Sequence, residues 1–388
     1  MNLPIYMDDH ATTPIDLRVL DAMLPYLTER FGNASSHHSF GEAAAAAVDV
    51  ARAQVAALIG ATPDEIVFTS GATESDNLAI KGIAEALAPG GGRIITAPTE
   101  HPAVLDTCEY LAQRGYETVF LPVDRDGIID PDDLRKVITD DTVLVSVMQA
   151  NNEIGVIQPI ADLAKIAGER GVPFHSDAVQ SVGKISVDVN RLGLGLMSIT
   201  AHKLYGPKGI GALYVRNSLS PVLARQIHGG GQERGLRSGT LNVPGIVGFG
   251  AACEIARLEL PEESVRVAAL RGRLYAGLRE GLDEIHLNGH PVHRLPGNLN
   301  VSFFGVQSDA LLAGLPEIAI SAGSACASGS LHVSHVLQAI GVPDVLAHSA
   351  IRFGLGRFTT ADQVEYTIGR VVETVGRLRR ISPLWEGR

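Results

Sequence analysis

The feature that most constrains this 388-residue chain is an alternation. Short apolar runs, "EIVFTS", "RIITAP", "ETVFLPV", "VLVSVMQAN", "VPFHSDAV", "LMSITAH" and "GALYVR", recur through its first two-thirds. Between several of them stand amphipathic helical patterns such as "DNLAIKGIAEAL", "AVLDTCEYLAQRG" and "IADLAKIAGERG". This predicts an α/β fold with a mostly parallel central sheet flanked by helices, since parallel strands need a long crossover and a helix usually supplies it. Ligand sites in such sheets gather at the carboxyl ends of the strands. Near residue 257 the pattern changes. "CEIARLELPEESVRVAALRGRLYAGLREGL" reads as a long helix, followed by strands around "LNVSFF" and "IAISAG" and closing helices, an α+β segment.

The strand ends are where the chemistry concentrates. In "SITAHKLYGPKGIGALYV", Lys203 follows an apolar strand and precedes a Gly- and Pro-rich turn. A lysine there is by default a surface residue. Upstream, "VPFHSDAVQS" ends another strand with His175, Asp177 and Gln180, and a buried carboxylate is costly unless it meets a cation. A lysine able to form a Schiff base, with an acid to face a pyridinium nitrogen, is the pairing that pyridoxal 5'-phosphate requires. "EIVFTSGATESDNLAI" adds a strand, then Ser70-Gly71-Ala72-Thr73, then a helix starting near Glu74, whose amino end favours an anion. The same residues also make an ordinary helix cap. Thr200 and His202 offer a second phosphate contact.

Three further residues follow the same logic. His101 in "TEHPAVLD" reads either as a site imidazole or as a helix cap. Asn152 in "MQANNEIGVIQP" lies where adjacent amides could simply build a turn. Arg352 in "IRFGLGRFTT" is a fork-shaped cation suited to a substrate carboxylate, or to an ion pair of its own. "SAGSACASGS" places one thiol, Cys326, among residues too small to pack around it, either as a small buried hydrophobe or as a reactive group.

Composition narrows the classes. A net charge of −11 argues against a general affinity for nucleic acid or anionic membrane. The stretch "AAAAAVDVARAQVAALIG" contains Asp49 and Arg52 and stops at Gly60, so it reads as a soluble helix rather than a membrane span. "MNLPIYMDDHATTP" lacks the basic and apolar regions of a secretory signal. Three scattered cysteines suit a reducing cytoplasm better than a disulfide framework.

The segments "TSGATESDN", "EHPAVLD", "NNEIGVIQPI", "HSDAVQ", "HKLYGPKG", "HGGGQERGLRSGT", "SAGSACASGSL" and "IRFGLGRFTT" together resemble the cysteine desulfurases of the NifS and IscS type, in the subgroup with a long cysteine-bearing loop. The resemblance runs in order from about Tyr6 to Leu384. It implies a fold-type I pyridoxal phosphate enzyme, homodimeric, that takes sulfur from L-cysteine and leaves L-alanine. It also implies a large cofactor-binding domain of residues 17–257, and a small domain of 1–16 and 258–388 carrying the loop at 321–330.

By motif, Lys203 resembles the Schiff-base lysine and Asp177 the partner of the ring nitrogen. Gln180 resembles the partner of the ring hydroxyl, and His101 the imidazole stacked on the ring. Ala72, Thr73, Thr200 and His202 match phosphate-binding positions, and Thr240 matches a phosphate contact from the other protomer. Asn152 and Arg352 match the substrate-carboxylate site, Asn152 also a cofactor contact, and Cys326 the nucleophile, which carries sulfur as a persulfide to an acceptor protein. That acceptor would serve iron–sulfur cluster assembly or thiolation.

Thr200-Ala201 stands where relatives more often have Ser-Gly, and His332-Val333 where they have Glu-Pro. The resemblance implies that housekeeping members continue beyond the segment matching "SPLWEGR" into a tail that contacts a scaffold protein, so a scaffold contact is implied less directly than the chemistry. A transaminase would not need Cys326, and a selenocysteine lyase would show little activity with cysteine. A metal or iron–sulfur carrier using Cys326, His332 and His335 has poor ligand spacing. No metal is expected.

Overall fold

A computed structural model describes residues 3–322 and 333–385. A two-residue strand, β1 (Ile5–Tyr6), opens the chain. The apolar runs then form β2 (Ile66–Thr69), β3 (Gly92–Thr96), β4 (Tyr116–Phe120), β5 (Thr142–Ser146), β6 (Phe174–Asp177), β7 (Leu196–Thr200) and β8 (Gly211–Val215). These seven make one sheet in the order β2-β8-β7-β6-β5-β3-β4. It is parallel throughout except for β8, which runs antiparallel to both β2 and β7. The helical patterns between the runs form Ala72–Leu87, Pro102–Ala112 and Ile160–Glu169. Strands β5 to β8 are buried along their whole length, as expected of a sheet covered on both faces.

A second sheet follows, from β9 (Ile285–Leu287), β10 (Asn298–Phe303), β12 (Ser321–Ala322) and β13 (Ala350–Gly354), in the order β12-β13-β10-β9. Strand β11 (Ile318–Ala319) pairs in parallel with β1, which ties the start of the chain to this second unit. Each sheet has its own apolar core. One 39-residue helix, Val243–Gly281, links them: Ile246 and Phe249 sit in the first core, Leu274 and Leu278 in the second. The change expected near residue 257 therefore falls inside a continuous helix. Its first turns, "VPGIVGFGA", carry three glycines that weaken the helical signal. Burial of that segment against the helix Ser39–Ile59 overrides the weak propensity.

The stretch around Gly60 is the helix Ser39–Ile59, and it ends at that glycine. No helix among the described residues is long and apolar enough to cross a membrane.

Candidate active site

The carboxyl ends of β2, β6 and β7 open on one cleft of about 560 Å³. Register explains why. Gly211, the first residue of β8, stands opposite both Thr69 at the end of β2 and Thr200 at the end of β7. The chain leaving β2 is thereby set beside the turn that carries Lys203. A Cβ at position 211 would lie 2.6 Å from the Ile199 carbonyl and 2.8 Å from Gly71 Cα, so only glycine permits this approach.

Ala72, Thr73, His101, Asn152, Asp177, Gln180, Thr200, His202, Lys203 and Arg352 all line this cleft. Thr240 does not; it is exposed on the single chain. Cys326 lies outside the described residues, as do His332 and most of the 321–330 loop.

The helix after Gly71 begins at Ala72, two residues earlier than expected, so Ala72 and Thr73 supply its first N–H groups. Asp177 is the last residue of β6; its Oδ1 accepts from Val179 N (2.9 Å), and burial pushes its pKa up. The charges of His101 and Lys203 act in the opposite direction. Lys203 Nζ donates to the carbonyls of His10 and, at 2.7 Å, Ala11. His202 Nδ1 lies 3.0 Å from Thr12 Oγ1, and burial, then the neighbouring lysines, lower its pKa to about 4. It stands neutral at pH 7.

His101 is both a cap and a cleft residue. It precedes the helix Pro102–Ala112, and its Nδ1 accepts from Ala103 N at 3.1 Å. Burial lowers its pKa. In the neutral ring the other nitrogen, Nε2, then carries the proton and is a donor. Arg352 lines the cleft and also makes an ion pair of its own. Its Nη2 donates to Asp8 Oδ1 (2.7 Å) and its Nη1 to the Asn152 carbonyl (3.0 Å). Asp8 Oδ2 accepts from Ser321 Oγ at 2.7 Å, so the strand just before Cys326 is tied to Arg352. Beyond the undescribed segment, Ser334 Oγ donates to Glu153 (2.5 Å), and His335 Nε2 lies 2.9 Å from the Glu100 carbonyl.

His10 and Asp76 line the cleft and Asp8 stands behind Arg352, and the sequence reading singled out none of them. Gln180 Nε2 donates to the His10 carbonyl (3.0 Å), and its Oε1 is 2.9 Å from His10 Nδ1. Asp76 is buried, with His175 Nε2 3.6 Å from its Oδ1; burial and the nearby Asp177 hold its pKa well up. A signal for Asp76 existed, because it lies one helical turn beyond Thr73. His10 and Asp8 follow no long apolar run, and only the fold brings them here.

The aminotransferase class-V family model matches residues 5–367. The chain is 56% identical over 387 residues to cysteine desulfurase IscS of Anaeromyxobacter sp. (strain Fw109-5), covering 100% of this chain and 96% of that protein. It is 53% identical over 389 residues to cysteine desulfurase IscS of Escherichia coli O139:H28, with the same coverage. A solved NifS-like protein superposes with a TM-score of 0.90 at 40% identity, over 96% of this chain and 100% of that one. The chain belongs to the class-V aminotransferase family, and within it to the cysteine desulfurases.

Proposed function

We propose that this protein is a pyridoxal phosphate-dependent cysteine desulfurase that turns L-cysteine into L-alanine and carries the released sulfur as a persulfide on Cys326. The observation that carries this reading is the convergence of Lys203, Asp177 and Arg352 on one cleft. The residues present fit the cofactor. The helix end at Ala72 and Thr73, with Thr200 and His202, suits its phosphate. Asp177 is a buried acid for which a protonated ring nitrogen is the matching cation. Lys203 would hold it covalently through Nζ, Gln180 would meet its ring hydroxyl, and His101 would lie against its ring. When bound, the cofactor supplies an electron sink for the carbanion formed at the substrate's α-carbon.

The chain's own residues do the rest. Arg352, aligned by Asp8, takes the substrate carboxylate together with Asn152. Lys203 Nζ moves the α-proton as general base. His101 offers the proton on Nε2. The Cys326 thiolate forms an S–S bond to the substrate sulfur while the carbon–sulfur bond breaks, its electron pair staying with carbon; that carbon is protonated to become the methyl group of alanine. The other two cysteines are unsuited to this role. Both are buried, and burial pushes the Cys108 thiol up to about 12 and the Cys253 thiol further still.

A homodimer with Thr240 reaching the partner's phosphate site, a sulfur-acceptor protein and a cytoplasmic location belong to the same proposal. So do service to iron–sulfur assembly or thiolation and the division into residues 17–257 and 1–16 with 258–388. The test is borohydride reduction of the yellow protein followed by peptide mapping. The cofactor should be found on Lys203, and Lys203→Ala should lose both the colour and alanine release. A covalent link at Lys208 instead would refute the assignment.

A further inference from the structure

Two residues beyond Lys203 the backbone takes a conformation that few side chains tolerate. Tyr205 holds φ at 65°, the left-handed region in which an L residue is crowded. Such strain persists only where the surroundings over-determine it, and it clusters at functional sites.

The surroundings of Tyr205 do so from both units of the molecule. Its N–H donates to Thr13 Oγ1 (2.8 Å), and its carbonyl accepts from Asp16 N (3.0 Å). The side chain is buried, and its hydroxyl accepts from the backbone N–H of Arg357 at 2.5 Å. The Arg357 guanidinium lies over the ring, 4.3 Å from its centre, and is itself held by Glu263 (2.7 Å) and Asp16 (2.9 Å). A Cβ at Gly356 would strike the Tyr205 hydroxyl, so glycine there is what lets the turn close over it.

Arg357 stands on the turn directly after β13, the strand that carries Arg352. Lys203 stands on the turn directly after β7. One side chain therefore cross-braces the turn holding the lysine and the turn that follows the strand holding the arginine. A substrate gripped at its amine end by one unit and at its carboxylate by the other depends on that brace, because small errors in such placement are costly.

We propose that Tyr205 is a positioning residue that sets Arg352 relative to Lys203, and so governs affinity for the carboxylate of the amino-acid substrate. This rests on the roles proposed above for Lys203 and Arg352.

The test uses the cofactor-loaded enzyme and two probes that differ only in a carboxylate, L-alanine and ethylamine, titrated by the cofactor's absorption. Tyr205→Phe removes the hydroxyl and keeps the ring. L-alanine should bind about fivefold or more weakly while ethylamine stays within about twofold, the scale of one lost hydrogen bond. KM for L-cysteine should rise in step with kcat little changed. Thr13→Val, which removes the acceptor of the Tyr205 N–H, should show the same selectivity and stands in if the first variant does not fold. Parallel weakening of both probes, or of neither, overturns the proposal. Arg352→Gln separates the two levels of the argument. If it fails to weaken L-alanine selectively, the carboxylate role of Arg352 is wrong; if it does so and Tyr205→Phe does not, only the brace is wrong.

Discussion

Burial governs the protonation of the histidines around this cleft, and His175, whose Nε2 also lies 3.6 Å from Asp76 Oδ1, offers a test. His175 is fully enclosed between Ser146 Oγ (2.8 Å) and Ser198 Oγ (3.0 Å), and burial lowers its pKa from 6.5 to about 3. Between those values the unfolded chain binds a proton that the folded one refuses. Stability should therefore fall as pH drops through that window, by about 1.4 kcal/mol per pH unit for one such group. His175→Gln should flatten the slope of urea stability against pH by about that amount; an unchanged slope would assign the acid sensitivity elsewhere. Cys326 allows a second test. Cys326→Ala should keep the colour and bind L-cysteine, yet release almost no alanine. In the native enzyme after turnover, mass spectrometry should find one added sulfur atom on Cys326, removable by reductant. Sulfur on Cys108 or Cys253 would refute the nucleophile. Lys203 and Asp177 were legible in the sequence because each ends an apolar run. Asp8 and His10 were not, since their places depend on β1 joining the second unit.

At the scale of elements, β8 decides the shape of the site. Its pattern "GALYVR" announces a strand but not a direction, and periodicity alone carries no information on parallel or antiparallel pairing. Running antiparallel between β2 and β7, it places Gly211 against Thr69 and Thr200 at once. Gly211→Val should force β7 and the Ser70–Thr73 turn apart. The expected cost is about 1–3 kcal/mol, as for other overpacked interiors, with weaker cofactor binding to the apoprotein. Thermal melting and a fluorescence titration with pyridoxal phosphate would check this. Normal affinity in a folded variant would show that the turn does not depend on β8. The helix Val243–Gly281 makes the complementary point. Its glycine-rich start has a weak helical propensity and is helix because a buried face is available.

At the scale of the whole molecule, the surface bears on assembly. Thr240 lies away from the cleft of its own chain, and Leu17 (73% exposed), Leu27 (56%) and Phe31 (68%) leave apolar surface on one segment. Such surface commonly marks an interface. Sedimentation should give a dimer, and cofactor should be lost in step with dissociation on dilution. A monomer of full activity would end the cross-subunit role of Thr240.

What the sequence determined by itself was everything that local pattern encodes: seven strands in their places, the helices between them, and a set of polar residues stationed at strand ends. What only the tertiary structure decided was which of those residues meet. Arg352 faces Asn152 and Asp8 because β1 pairs with β11 beside the second sheet and one long helix spans both cores. His101 caps a helix and also lines the cleft, so neither local reading of it was complete. The physical reason is range. Strand and helix propensities act over a few residues, whereas a site assembled from positions 8 to 352 is held by packing and hydrogen bonds between segments far apart in the chain.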